Sequence, residues 1–344
     1  MRIRVAGHLH PGLRALSGAL LVVAAMGLTA CEQDQPTSPA LGGDSADEII
    51  DFKLTPEGAT AAQNAALVGT HKLPTIPLRQ EALSKFSASL GRIDNSPFDL
   101  TNFGGKVVRA ATSYNVYVNC SVTNAPVVCW GSNNLSPTNF LRDLNRSEFI
   151  RLVNEYIGQD AQLRFPVQQM RTVANFAVAN KATLQDIQHI VADAATSTGV
   201  SGYNAIYHVF LPKGTSVCIV AGNCYSPDDP ASWTFCAFHG SVNFSSTQHV
   251  LFTVQPYQGV AGCQLPGQTP NGLIDATAST LSHELFETIT DPDFDGWYNA
   301  LYGYEMSDMC ATFGSSQLMN GHSYFVQSEY SNNKHLCTSQ APVI

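Results

Sequence analysis

His283, Glu284 and Glu287 stand inside "TLSHELFETITDPDFDGWY", from Thr280 to Tyr298, and their types and spacing are those of a chemical site. Residues four apart share one face of a helix, so His283 and Glu287 would offer an imidazole and a carboxylate to one point. In an H-E-x-x-H pair at this spacing the two histidines bind zinc, and the glutamate after the first activates water there. Here Glu287 replaces the second histidine. A carboxylate also ligates zinc, but it adds a negative charge and a harder oxygen. The expected site is therefore Zn²⁺ on His283 and Glu287, with Glu284 as general base. The competing structural reading is an ordinary His-Glu pair at helical spacing.

A third ligand must come from outside the motif. Glu305, in "GYEMSDMC", follows Glu287 by eighteen residues and is the favoured candidate, with Asp308 placed to orient a histidine ligand. Asp293, ten residues after His283, and His322, in "MNGHSYF", are lesser candidates. Asp291, directly before Pro292, reads as the end of the helix. His208 and His239 have strand-like, apolar neighbours and read as core or hydrogen-bonded histidines.

The element carrying the motif is a helix over 274–290, with Leu281, Leu285 and Ile289 recurring at i+4. His283 lies about 200° around from Leu281, so the His/Glu pair faces away from that stripe. Upstream, "KVVRAATSYNVYVNCS" has strand composition and "APVVCWGS" reads as its hairpin partner. "NRSEFIRLVNEYIG" and "TLQDIQHIVADAATSTG" read as helices, the second with Leu184, Ile187, Ile190 and Val191 on one stripe and Gly199 beyond its end. Strands are expected at "NAIYHVFLP", "SVCIVA", "TFCAFHGSV" and "HVLFTVQPY", and a Gly-rich, Cys-containing tail closes the chain. The class is α+β: one disulfide-stabilised secreted domain over 97–344 with a central mixed sheet.

Arg2, Arg4 and Arg14 followed by the uncharged run Ala15–Ala30 predict an export signal over 1–30. The ending Leu28-Thr29-Ala30-Cys31 resembles the lipobox of bacterial lipoproteins. That resemblance implies an acylated Cys31, a membrane partner through the lipid anchor, and localisation at the bacterial cell envelope. Residues 31–47 are polar and rich in Pro, Gly and Ser, a flexible tether. Residues 48–96 read as a loosely ordered extension with one short amphipathic helix through Leu83, Phe86 and Leu90.

Nine cysteines less Cys31 leave eight, an even number suited to up to four disulfides in an exported chain. Proximity favours Cys120 with Cys129 and Cys218 with Cys224, leaving Cys236, Cys263, Cys310 and Cys337 to pair among themselves. A cysteine zinc site is disfavoured because no C-x-x-C occurs. Charged residues are only 13% of the chain and the formal net charge is -9, which disfavours a nucleic-acid partner.

Taken in order, "GGKVV", "FCAFHGS", "PNGLIDATASTLSHELFETITDPDFDGWY", "EMSDMCATFG" and "NGHSYFVQSEYSN" resemble the Exordium, or phosphate-induced protein, family from about Phe103 to Cys337. That likeness implies a secreted domain tied in plants to cell expansion, with no established catalytic residues. The helix after a run of strands also resembles a zincin metallopeptidase core, and the downstream Glu305 resembles the thermolysin-like arrangement. Two functions follow as expectations: a surface-tethered zinc metallohydrolase acting on peptides, or a non-catalytic surface domain. The second would bind cell-wall glycan through Trp297, Tyr298, Tyr302 and Tyr304, although packing is the better reading of these aromatics.

Overall fold

Tyr114, Val116 and Val118 alternate along "TSYNVYV" and give the strand Thr112–Val118 (β2) one apolar face, and the structure buries the other face as well. A computed structural model describes residues 49–55, 98–120, 129–131, 135–228, 234–260, 262–263, 272–311 and 313–341. The expected export signal, Cys31, the tether and the short helix through Leu83 lie outside those residues. With Ile49–Asp51 as β1, the further strands of the central sheet are Val167–Thr172 (β3), Gly202–Phe210 (β4), Phe238–Asn243 (β5) and His249–Gln255 (β6). Their order is β1-β3-β2-β4-β6-β5. Every pairing is parallel except β6 with β5, so the mixed sheet is mainly parallel with one antiparallel edge.

Three helices cover this sheet, Pro137–Arg146 (α1), Leu184–Thr198 (α2) and Leu273–Thr290 (α3). At the start of α1, Ser136 Oγ accepts the Asn139 N–H at 3.2 Å, and Pro137 occupies the first turn, where no N–H is needed. A reciprocal capping box starts α2: Thr183 Oγ1 accepts from Asp186 N–H at 3.2 Å, and Asp186 Oδ2 accepts from Thr183 N–H at 2.8 Å. Gly199 closes α2 with a left-handed φ of 68°. On one side of the sheet, α2 packs Ile187, Ile190 and Val191 against Val116, Tyr207, Val209 and Phe252. On the other, α1 and α3 pack Phe140, Leu281, Leu285 and Ile289 into a second core with Tyr117, Phe210 and Leu251.

Four predicted features are corrected. Residues 49–55 were expected in the loose extension, yet Ile49–Asp51 forms an edge strand on β3, and Thr55 Oγ1 donates to Asp193 at 2.9 Å. Most of the hairpin partner expected at "APVVCWGS" lies outside the described residues; both edges of β2 are taken by β3 and β4, and Cys129 and Trp130 are helical. The single helix expected over "NRSEFIRLVNEYIG" splits. Ser147 ends α1 by donating its hydroxyl to Leu144 O, a 3-10 turn follows over Phe149–Val153, and a short helix runs to Ile157. The tail is also richer in strands than expected, with Gly314–Met319 (β7) pairing antiparallel with His322–Gln327 (β8), and Glu329–Ser331 (β9) with Leu336–Thr338 (β10).

Four disulfides staple the domain: Cys120–Cys129, Cys218–Cys224, Cys236–Cys263 and Cys310–Cys337. The two short-range pairs are those proximity favours, and the remaining four cysteines resolve into two 27-residue loops. Each such loop stabilises the fold by about 3–4 kcal/mol in the chain-entropy account. These bonds mark the domain as belonging to an oxidising, non-cytoplasmic compartment. Among the described residues, no helix is long and apolar enough to cross a membrane.

Candidate metal centre

Helix α3 is buried from Ile274 to Thr290, although it carries many hydroxyl and carboxyl groups. Its hydroxyls are satisfied locally: Thr277 Oγ1 donates to Leu273 O, Ser282 Oγ to Ala278 O and Thr288 Oγ1 to Glu284 O, at 2.6–2.8 Å. Leu281, Leu285 and Ile289 enter the apolar core, while His283, Glu284 and Glu287 turn into a polar interior formed by β5, β8 and the segment 305–308. The pair therefore faces away from the stripe as expected, but into protein rather than toward the surface.

The exit of α3 is fixed by two close approaches. Gly296 N–H donates to Asp291 Oδ1 at 2.6 Å, and Gly105 N–H, in the "GGKVV" segment, donates to Asp295 O at 2.8 Å. A Cβ on Gly105 would lie 2.4 Å from the Asp295 backbone carbon, so only glycine fits there. The aromatics of this region pack on one another. Trp297 sits edge-on to Tyr156 at 5.3 Å, Tyr298 stacks on Phe103 at 4.0 Å, and Tyr302 stacks on Phe98 and Tyr304.

At the centre of the polar interior is Glu287 Oε2. It lies 3.2 Å from His283 Nε2 and 3.5 Å from His239 Nδ1, while Glu287 Oε1 accepts the Asp308 N–H at 3.1 Å. Asp308 Oδ1 is 3.6 Å from His283 Nε2, Glu284 Oε2 is 3.3 Å from His239 Nδ1, and Glu305 Oε1 is 3.6 Å from His239 Nε2. The predicted residues His283, Glu284, Glu287, Glu305 and Asp308 thus meet, all between 0% and 6% exposed. Asp293 and His322 do not join them. Asp293 accepts from the Tyr203 hydroxyl and lies 3.1 Å from His249 Nε2, and His322 Nδ1 lies 2.7 Å from Asp143 Oδ2.

His239 is buried and hydrogen-bonded, as read, but its partner is Glu284 of the motif, 3.3 Å from Nδ1. β5 pairs with β6 so that His239 is opposite Thr253, and it continues a polar row across the sheet: Gln169, Asn115, His208, Thr253, His239. This register places the imidazole against α3, where Phe294 packs on its ring at 4.9 Å. No spacing in the sequence links His239 to the motif 44 residues later, so only the sheet register reveals it. His208, in the same row, is the core histidine expected, with Nδ1 2.9 Å from Thr253 Oγ1. Burial pushes its pKa down to about 3, so it is neutral.

Gln327 orients His283. Its Nε2 donates to Ser307 O at 2.7 Å, and its amide sits against His283 Nδ1, with Nε2 at 3.1 Å and Oε1 at 3.3 Å, so that the other ring nitrogen, His283 Nε2, faces Glu287. Gln327 thereby fills the orienting position first assigned to Asp308, whose carboxylate instead faces His283 Nε2.

The electrostatics are those of a site that attracts cations. Burial opposes protonation of His239 and His283, yet the surrounding carboxylates override it, raising His239 to about 9 and His283 well above its ordinary range. Burial and then the charge on Glu287 push Glu305 and Asp308 well above the carboxylate range. Among the described residues, Glu284 Oε1, Glu287 Oε2, both Glu305 oxygens, Asp308 Oδ1 and His239 Nε2 make no hydrogen bond. Buried orphan acceptors of this kind are costly without a compensating charge. The donor set of imidazole and carboxylate fits a divalent transition metal. Two three-residue groups have their ligand atoms mutually within 4.8 Å: His239–Glu284–Glu287 and His283–Glu287–Asp308.

No family model matches the chain, and neither the curated proteins nor the solved structures searched contain a match.

Proposed function

We propose that this is an exported, zinc-dependent metallohydrolase, tethered to the cell envelope through acylated Cys31 and acting on peptide bonds. The observation that carries the reading is the convergence of Asp308 with His283 and Glu287 of α3, where Glu287 Oε2 and Asp308 Oδ1 make no hydrogen bond. His283, Glu287 and Asp308 would hold the ion, Asp308 taking the third place expected of Glu305, which lies beside His239 and belongs to neither three-residue group. Zinc supplies a Lewis acid that polarises a carbonyl and brings the pKa of water toward about 7. Glu284, whose carboxyl is raised by burial, takes the proton of the attacking water and delivers it to the leaving amine. Gln327 holds the His283 ring in place through Nδ1.

The resemblance to a zincin core supports this reading through the helix that follows the strand series. The decisive experiment is hydrolysis of a peptide library by the purified full chain beside Glu284→Gln. Cleavage that falls by at least about a hundredfold in the variant is expected; cleavage that persists unchanged overturns the reading. Cys31→Ala is expected to release the protein from membranes, and equal membrane retention overturns the anchor.

A second reading is favoured by one observation, the near-complete burial of His239, His283, Glu284, Glu287, Glu305 and Asp308. Structural metal sites are closed, whereas catalytic ones keep an open position. In that case the ion stabilises a non-catalytic surface domain of the Exordium kind that recognises wall glycan. Metal-dependent stability without hydrolysis, together with glycan binding lost in Tyr302→Ala, would select it.

A further inference from the structure

We infer that the cluster takes two divalent cations rather than one, bridged by Glu287 Oε2, with His239 and Glu284 completing the second site. This rests on the metal reading above and adds a site to it. The two ligand groups share Glu287 alone, and each histidine belongs to a different group. Glu287 is built to bridge: Oε1 is engaged by the Asp308 N–H, and Oε2 faces His283 Nε2 at 3.2 Å and His239 Nδ1 at 3.5 Å.

The separations themselves argue for ions between these atoms. A charge-assisted N–H···O contact settles at about 2.7–2.9 Å. Nitrogen and oxygen ligands held about 2.0–2.2 Å from one ion at tetrahedral angles lie roughly 3.3–3.6 Å apart. The His239–Glu284, His239–Glu287, His283–Glu287 and His283–Asp308 separations are 3.3, 3.5, 3.2 and 3.6 Å. Four buried contacts at ligand spacing, on both sides of one oxygen, describe two coordination shells.

Charge balance points the same way. Glu284, Glu287, Glu305 and Asp308 are four carboxyl groups, all at most 6% exposed, and the two histidines are neutral when they act as ligands. Each dication compensates two ionised carboxylates, so two dications can compensate all four. An uncompensated buried ion costs several kcal/mol, so a second cation lets two further carboxylates stay ionised inside the protein. One imidazole and two carboxylates per ion suit Zn²⁺, Mn²⁺ or Fe²⁺. Glu284 gives Oε2 to the second ion, and its Oε1, which makes no hydrogen bond, remains to take the proton of the attacking water.

The test is the metal content of the purified full chain, stripped with chelator and titrated with Zn²⁺, beside His239→Gln, His283→Gln and Glu287→Gln. Folding is confirmed for each by circular dichroism and intact disulfides. The parent is expected to bind two equivalents, His239→Gln and His283→Gln one each, and Glu287→Gln neither tightly. Loading with Mn²⁺ should give the exchange-coupled electron paramagnetic resonance signal of a bridged pair, replaced by an isolated-ion signal in His239→Gln. One equivalent in the parent, retained in His239→Gln, overturns the second site while leaving the single-metal reading intact. No bound metal in the folded parent overturns both. Because the parent alone distinguishes two equivalents from one, the proposal stays testable even if a variant fails to fold.

Discussion

The two faces of the central sheet are built from the same six strands and do opposite work. Toward α2, the side chains of β2, β4 and β6 are Tyr114, Val116, Val118, Tyr207, Val209, Phe252 and Val254, a continuous apolar layer. Toward α1 and α3, the same strands present Asn115, His208, Thr253 and Gln255 between Tyr117, Phe210 and Leu251. Both are fully buried, so the difference is not exposure. The apolar face draws its stability from area removed from water, about 25 cal/mol per Å². The polar face spends part of that gain on holding donors and acceptors in fixed places beneath α3. A buried polar row costs stability unless every group is paired, and its persistence here marks the side of the sheet that positions the site.

The comparison breaks most clearly when each face is damaged separately. Phe252→Ala, on the apolar side, should cost about 3–5 kcal/mol at any metal concentration. On the proposed metal reading, chelation should destabilise the parent by several kcal/mol, lowering its Tm by more than about 5 °C, and this loss should be recovered on adding Zn²⁺. Thermal melts with and without chelator separate the two. If Phe252→Ala became metal-rescuable, or the parent ignored chelator, the two faces would not differ as described.

His208 gives a smaller and pH-dependent contrast. Its pKa is about 3 in the folded chain and about 6.5 when unfolded. Above pH 6.5 both states are neutral and it contributes no slope. As pH falls from 6.5 toward 3, the unfolded state takes up a proton that the folded state refuses. Stability should therefore drop by up to about 1.4 kcal/mol per pH unit from this residue. Denaturant titrations of parent and His208→Asn across that range should show a shallower slope in the variant; identical slopes would remove His208 from the account.

The smallest effect belongs to the helix covering the apolar face. Thr183→Ala deletes the α2 cap and should cost about 1 kcal/mol, while leaving metal content unchanged. A change in metal content would mean that the two faces communicate.

What could be read from the sequence follows from the range of each signal. The bounds of α3 and the orientation of His283 and Glu287 depend on residues four apart, and α2 announces itself through Thr183, Asp186 and Gly199. Helix α1 carries a start signal in Ser136-Pro137 and a short apolar stripe in Phe140, Leu141 and Leu144, but its ten residues hold only one repeat of that stripe. His239 was hidden for a different reason. Its neighbours Phe238 and Gly240 give it the look of a core residue, and only pairing with Thr253 and packing under α3 turn it into the site. The orienting role of Gln327 was equally invisible, because it arises where β8 crosses α3.

Two disulfides stand close in sequence to the residues that would hold metal: Cys236 precedes His239 by three residues, and Cys310 follows Asp308 by two. A chain still reduced lacks the brackets that fix those two segments against α3. On the proposed metal reading, sulfur oxidation would come before ion capture. Newly made chains would therefore cross the cytoplasm without drawing on its metal pool, and would mature only with ions found outside it.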